Sequence, residues 1–485
     1  MILRILRLVF SLLMGQIVSK LISFGCLIFL ARRFGVEGLG AYGSVMAYLT
    51  LAAAFADGGL TTVVTRDIAQ DSSKSARMIP NVFALRMLLN FAAYGVLLSV
   101  APQLNGSSSS LWLLCGIFLF PEAARKLSNS ILNAYECMNV VATLDVISTL
   151  CRYVPFVAAA WLGYSIYGGL YWFGILWIGV AAVWAFSASR YGFFSIRFGA
   201  LSLSYAAHLL YEALPFGLLH ALSIVYTKTD VIMLTHLDHV TAVGFYEAAY
   251  KFIEAAKFIP VSLVTVLLPV MSRLFVADKD IYKHVYVHAT RILAMLMLPV
   301  AIGVSLFARE LVLVMYNETY LPSAQALAIL IWTLFIFFLN APVGNVVAMS
   351  RRMYAFLPYA IGNALLNIVL NAVLIPRYSF VGASIATLIA ECSGLLIQLW
   401  FVHPITNSTA QIARILGKLT IVGMMAAVIG FLCRLVCPWP LTLLALAGIY
   451  MAGLLVLRII QPEDRRLFLE VAARFQQKLD KEEHS

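Results

Sequence analysis

Apolar runs of about twenty residues recur along the chain, separated by short stretches of charged or turn-forming residues. Fourteen stand at roughly 10–30, 41–63, 80–101, 111–132, 140–162, 168–188, 206–234, 241–272, 289–308, 323–349, 354–375, 380–402, 411–432 and 441–460. A bilayer-spanning helix takes about 20 mainly apolar residues, so the pattern predicts an all-α polytopic membrane protein of about fourteen transmembrane helices. The stretch from 206 to 272 is the least regular, because charges interrupt it. No connection is long enough to fold as a domain; the longest outward one lies near 308–322, and the serines at 107–110 mark a loop tip. After Pro462, Leu467, Val471, Phe475 and Leu479 recur every fourth residue, which predicts an amphipathic helix or a solvated tail at the cytoplasmic surface. At the other end Arg4 and Arg7 precede an apolar stretch that runs on through Leu30 without a small-residue cleavage site, so it reads as an uncleaved first span.

Composition agrees with the pattern. Of 485 residues 62% are hydrophobic and 12% charged, about half the charge of an ordinary soluble domain, roughly 25%. A soluble enzyme, a disordered chain and a nucleic-acid-binding domain are excluded. The seven cysteines form no disulfide framework and no zinc spacing; Cys433 and Cys437, four apart, share a helix face in an apolar setting. The sequence carries no nucleophile–base constellation, no phosphate-cradling glycine loop and no metal cluster, so neither catalysis nor a cofactor is expected.

The net charge of +11 reads as topology. With the N-terminus in the cytoplasm, 23 of the 34 basic residues fall on the cytoplasmic side, and five (Arg32, Arg33, Arg309, Arg377, Arg434) lie opposite. That bias follows the positive-inside rule and supports fourteen spans with both termini cytoplasmic. Six cations remain inside spans: Lys20, Arg86, Arg152, Lys228, Lys251 and Lys257.

A weak repeat links the two halves. Gly40-x-Tyr42 opens the second span and Gly244-x-Tyr246 the eighth, 204 residues later, an offset of six helices. Two parallel six-helix halves are therefore expected: an N-terminal lobe at 1–200, a C-terminal lobe at 201–405, two additional helices at 406–460 and the tail at 461–485.

Three stretches carry a family resemblance. Leu30-Ala-Arg-Arg-Phe-Gly-Val-Glu-Gly-Leu-Gly-Ala-Tyr42 resembles the first loop of the bacterial polysaccharide-biosynthesis transporters, and Asp57-Gly-Gly-Leu-Thr-Thr-Val-Val-Thr-Arg-Asp-Ile-Ala69 the end of their second helix. Asn363-Ala-Leu-Leu-Asn-Ile-Val-Leu-Asn-Ala-Val-Leu-Ile-Pro-Arg-Tyr378, leading into Gly382-Ala-Ser-Ile-Ala-Thr387, is similar to their second-half signature. One departure is Ser379-Phe380, where a glycine often follows the aromatic. The resemblance is to the Wzx-like flippases of the multidrug/oligosaccharidyl-lipid/polysaccharide (MOP) exporter superfamily, whose relatives include MurJ and the MATE transporters. It implies two six-helix lobes in a V around a central cavity that opens to either face in turn. It also implies a substrate, an oligosaccharide joined through diphosphate to a polyprenyl lipid, in a bacterial cytoplasmic membrane. Polysaccharide-assembly partners and coupling to protons or sodium are expected with it.

Such a headgroup must cross about 30 Å of hydrocarbon, and a cavity lined with cations and hydrogen-bonding groups would ease its passage. Intramembrane charges are costly and face a cavity or a partner. Lys20 and Lys228 occupy roughly corresponding places in the two halves and are candidates to bind the diphosphate, with snorkelling as the other reading of Lys20. Arg152 is a third candidate, unless it pairs with Asp145 seven residues earlier; Arg86 is a fourth, close enough to the cytoplasmic end to snorkel. Glu247, Lys251, Glu254 and Lys257 form one helical stripe, expected to face the cavity or helix seven, which offers Glu212, Lys228 and Asp230. That stripe reads either as a rearranging charge network that binds the headgroup, through Lys251 and Lys257, or couples a proton or ion, or as a static seam. Asp57 reads as a cap or a partner of Arg66, and Glu391 as a cavity-lining or coupling carboxylate. Pro215, Pro260, Pro269, Pro299, Pro342 and Pro358, against Pro155 in the first half, predict a second lobe that bends more. A MATE-type cation or drug antiporter is the alternative function, although mainly acidic cavities would suit it better. A polymerase or ligase would carry a large external loop, and none is present.

Overall fold

The computed structural model describes residues 2–100, 115–191, 201–257, 260, 279–349, 353–457 and 459. Among these residues there are fourteen α-helices and no strand. We number them α1 (Ile2–Asp57), α2 (Leu60–Gln70), α3 (Ser75–Val100), α4 (Leu119–Ala134), α5 (Met138–Trp161), α6 (Ile166–Ala188), α7 (Leu203–Leu237), α8 (Val240–Ala256), α9 (Lys279–Leu306), α10 (Ala308–Met315), α11 (Ser323–Met349), α12 (Met353–Thr406), α13 (Thr409–Val436) and α14 (Trp439–Val456). The tail with Leu467, Val471, Phe475 and Leu479, the serines at 107–110 and Pro269 lie outside the described residues.

Among the described residues, ten helices are long and apolar enough to cross a membrane. Two of them hold two expected spans each. Met14–Asp57 has 44 residues and Ala355–Thr406 has 52; at 1.5 Å per residue these are roughly 66 and 78 Å, more than twice a hydrocarbon core of about 30 Å. Each is broken by one non-helical residue, Gly35 (φ 69°) in α1 and Ser379 (φ 54°) in α12. The chain doubles back at both breaks. In α12, Leu374 meets Gly382 and Asn363 accepts from Ser393, pairs lying about equally far either side of Ser379. In α1, Lys20 and Thr50, Phe24 and Met46, and Leu27 and Tyr42 line one cavity and lie about equally far from Gly35. α4 and α8 cover most of the described parts of the runs at 111–132 and 241–272, of which 111–114, 258–259 and 261–272 lie outside the described residues, so each of the fourteen expected spans overlaps a described helix.

The sequence pattern missed one break. The run at 41–63 is interrupted at Gly58 and Gly59 (φ 54° and 82°), a left-handed stretch that glycine adopts without penalty. Side chains are excluded there on a second count, because a Cβ on Gly59 would come within 2.2 Å of the Ala213 carbonyl oxygen. In the irregular 206–272 stretch, α7 and α8 part at Asp238 and His239, in the expected gap between the runs at 206–234 and 241–272. The prolines also need amending: Pro80, inside α3, joins Pro155 as an internal proline of the first half, beside Pro215, Pro299 and Pro342 later on.

The helices divide into two compact units. The first comprises residues 1–262, 309–333 and 357–394; α1 packs there against α5, α7 and α8, and α6 against α4 and α5. Its core holds the buried aromatic side chains Phe156, Phe173, Trp177, Trp184 and Tyr246. The second comprises residues 263–308, 334–356 and 395–485, with a core around Tyr282, Tyr286, Val343, Val346, Val402 and Ile412. Within it Tyr450 donates to the Met295 carbonyl at 2.9 Å, and Arg434 bonds the Leu306 carbonyl.

The repeated glycines meet inside the first unit, and the contact is reciprocal. A Cβ on Gly40 would strike the Val240 carbonyl oxygen, and a Cβ on Gly244 the Val36 carbonyl oxygen, at 2.0 and 2.1 Å. Val36 and Val240 are themselves 204 residues apart. Each copy of the motif thus presents its glycine to the other copy's backbone one turn earlier, and only a residue without a Cβ allows the two helices so close.

Candidate functional site

A cavity of about 260 Å³ opens in the first unit between both arms of α1 and helices α5, α7 and α8. Its lining includes Lys20, Arg152, Lys228, Lys251, Glu247 and Glu254, with Tyr42, Thr50 and Tyr153 among the polar groups around them. Four of the six intramembrane cations converge there. The stripe on α8 faces the cavity with three of its members, as spacings of four and three on one helix face allow.

Pairing within the cavity is uneven. Lys251 Nζ lies 3.0 Å from Glu247 Oε2 and 2.8 Å from Glu254 Oε2. Lys20 Nζ reaches Glu254 Oε1 at 3.5 Å. Lys228 and Arg152 form no ion pair within 4 Å among the described residues. The Arg152 guanidinium lies 5.2 Å from the centre of the Trp177 ring, and its buried Nε has no hydrogen-bond partner. An arginine over an aromatic face gains electrostatic attraction from the ring, which holds the guanidinium in place while leaving donors unused. Four cations against two carboxylates leave the lining cationic.

The other expected site residues lie elsewhere. Arg86 is buried and pairs with Asp57 at 2.9 Å, with Thr61 donating to the same carboxylate oxygen. Asp57 therefore does not pair with Arg66, which instead bonds Asp67 at 2.6 Å and Glu212 at 2.7 Å. The Gly58–Gly59 break is what lets Asp57 and Thr61 converge on Arg86. Asp145 stands 3.9 Å from Arg125, not beside Arg152. Lys257, at the end of α8, donates to the Tyr250 hydroxyl at 3.1 Å. Glu391 is hydrogen-bonded by Tyr226.

Asp230 forms a second polar centre. Its buried carboxylate accepts from Tyr246 at 2.6 Å, Thr387 at 2.7 Å and Asn371 at 2.7 Å, while Asn367 accepts from Asn371 at its side and main chain. No cation pairs with Asp230 among the described residues, so the charge is held by neutral dipoles alone. Sequence reading found Asp230 but not its companions. The available signal was Asn363, Asn367 and Asn371 at four-residue spacing in an apolar run, a polar stripe on one helix face. Trp177 carried no comparable signal.

These membrane-crossing helices around a polar, cation-lined cavity have the fold of solved transporters of the MOP superfamily. The chain belongs to the polysaccharide biosynthesis protein family, whose profile matches residues 5–275, and the lipid II flippase MurJ profile matches residues 206–449. Among solved structures, an inward closed conformation of lipid II flippase MurJ is similar with a TM-score of 0.75 at 17% identity, over 91% of this chain and 97% of that one. An inward-facing multidrug resistance MATE transporter of the MOP superfamily gives 0.65 at 16% identity, over 81% and 96%. A MOP superfamily transporter from Pyrococcus furiosus, described as having a binding pocket of reverse polarity that suggests a different function, gives 0.56 at 16% identity, over 83% and 96%. An uncharacterized membrane protein of Methanocaldococcus jannaschii is 24% identical over 188 residues; the match spans 38% of this chain and 37% of that relative.

Proposed function

We propose that this protein flips a polyprenyl-diphosphate-linked oligosaccharide, a polysaccharide precursor, across a bacterial cytoplasmic membrane by alternating access, without bond chemistry. Its termini face the cytoplasm. The observation that carries this reading is the convergence of Lys20, Arg152, Lys228 and Lys251 on one cavity. Cations inside a membrane are costly, and an anionic headgroup repays the cost of keeping four together. Arg152 and Lys228 bring unpaired charge to the diphosphate, and Tyr42, Tyr153 and Thr50 offer hydroxyls to the sugar. A MATE-type cation antiporter is disfavoured because its substrate would be repelled by this lining.

The Asp230 centre supplies the coupling. A buried carboxylate ringed by hydroxyl and amide groups can take up a proton or a sodium ion in exchange for hydrogen bonds, and Glu391 offers a second carboxylate. Arg86, Asp57, Asp145 and Glu212 hold helices together in ion pairs of their own, away from the headgroup.

The test is mass spectrometry of lipid-linked sugars in cells lacking the protein. A defined polyprenyl-diphosphate glycan accumulates on the cytoplasmic face under this reading; an unchanged lipid-linked pool contradicts it.

A further inference from the structure

Glu254 is placed in the cavity as an anionic ligand would be. Its two carboxylate oxygens address two lysines on different helices, Oε1 toward Lys20 at 3.5 Å and Oε2 toward Lys251 at 2.8 Å. Glu247, the other carboxylate of the lining, is held differently. Its side chain is 4% exposed and packs so closely over Gly43 that a Cβ there would come within 2.7 Å of Glu247 Cγ. Glu254 is 37% exposed and Lys20 44%. Lys251 therefore has a fixed partner, Glu247, and a second, wetter one that it can release without becoming an uncompensated buried charge. Lys20 has only the wet one.

From this we infer that Glu254 is a built-in counter-anion, which occupies the headgroup position in the empty cavity and leaves it when substrate binds. The inference rests on the flippase reading above. A tethered carboxylate competes at high effective concentration, and the incoming anion must outbid it. A monoanion exchanges one charge for another and gains little. A dianion interacts with Lys20, Lys228 and Arg152 with about twice the Coulomb energy of a monoanion at equal distance. Glu254 thus weakens every anionic headgroup by the same factor and sets a threshold that the doubly charged diphosphate diester passes and singly charged phosphodiester lipids of the bilayer do not. It also spares the empty cavity an unpaired Lys20.

The test compares farnesyl-diphosphate-linked glucose with farnesyl-phosphate-linked glucose, which share tail and sugar and, being esterified at both ends, carry two charges and one. Their affinities are measured by calorimetry on the full-length protein in neutral detergent. The wild type is expected to favour the diphosphate by about tenfold or more, one charge-assisted contact's worth. Glu254→Gln tightens both lipids by about tenfold and leaves their ratio unchanged. Glu254→Asp, with its carboxylate one methylene short of Lys20, gives affinities between those of the wild type and Glu254→Gln. Affinities of Glu254→Gln equal to those of the wild type overturn the inference, as does an Asp variant lying outside that order. If the wild type binds the diphosphate and Lys228→Ala does not, while Glu254→Gln changes nothing, the counter-anion role alone fails. If neither wild type nor Glu254→Gln binds either lipid, the headgroup reading of the cavity fails, and this inference with it.

Discussion

Two groups of intramembrane charge lie in the first helical unit and are built on opposite terms. In the buried group, Arg86 and Asp57 have side chains 1% and 5% exposed and pair at 2.9 Å with a threonine completing the contact. In the cavity, Lys20 and Glu254 are 44% and 37% exposed and stand 3.5 Å apart. A dry pair holds helices together and is ruinous to break; a wet, loose pair contributes little to stability and can be exchanged for something else. The number of charges inside the membrane is therefore a poor guide to function. Their access to solvent and the slackness of their pairing separate a structural bond from a binding group.

The sharpest way to break this comparison is to remove one cation from each group. Arg86→Ala leaves Asp57 buried without its partner and should cost about 3–5 kcal/mol, read as a large fall in the thermal unfolding midpoint in detergent. Lys20→Ala should cost under about 1 kcal/mol while impairing transport. Equal losses of stability from the two substitutions would erase the distinction.

Asp230 belongs to neither group, being dry yet without a cation. If it couples transport to an ion, Asp230→Asn should abolish the dependence of transport on the sodium or proton gradient. Headgroup binding by the cavity should stay within about threefold of wild type, since the two sites share no partner in the structure. Transport by the variant that still follows the gradient would remove Asp230 from the coupling role.

The smallest effect concerns the turn in α12. Ser379 takes a left-handed conformation (φ 54°) and its hydroxyl donates to Asp238. Ser379→Ala keeps the backbone strain and loses the hydrogen bond, about 1–2 kcal/mol. Ser379→Gly loses the same bond but relieves strain of about 1 kcal/mol, so its net change should be nearer zero. Indistinguishable unfolding midpoints for the two variants would show that the serine carries no backbone strain.

Hydrophobic periodicity made the spans legible because a bilayer enforces it: each crossing needs about twenty apolar residues wherever it packs. The turns at Gly35 and Ser379 were legible as charge or turn residues between runs. The break at Gly58–Gly59 was not, because it depends on the close approach of Ala213 and Gly217, a contact between segments far apart in sequence. The cations of the site were legible too, since a charge in an apolar run stands out. Their partners were not. Asp57 is separated by nine residues from Arg66 and by twenty-nine from Arg86, yet it pairs with the more distant, because the glycine break turns its carboxylate inward. Asp145 and Arg152 share a helix but do not pair. The asparagines and threonine around Asp230 are neutral, and nothing in their composition distinguishes a charge-holding ring from ordinary helix packing until the tertiary contact with α7 is known.

The central claim, that the cavity cations carry the diphosphate, is tested most directly by a flipping assay in proteoliposomes. The assay follows the sidedness of a polyprenyl-diphosphate-linked glycan purified from cells lacking the protein. Wild-type protein should move the glycan across the bilayer. An Arg152→Ala/Lys228→Ala variant, inserted and folded to the same extent, should move it at least about tenfold more slowly, as expected for the loss of charge-assisted contacts of about 1.5–3 kcal/mol each. Transport by that double variant at the wild-type rate would contradict the account.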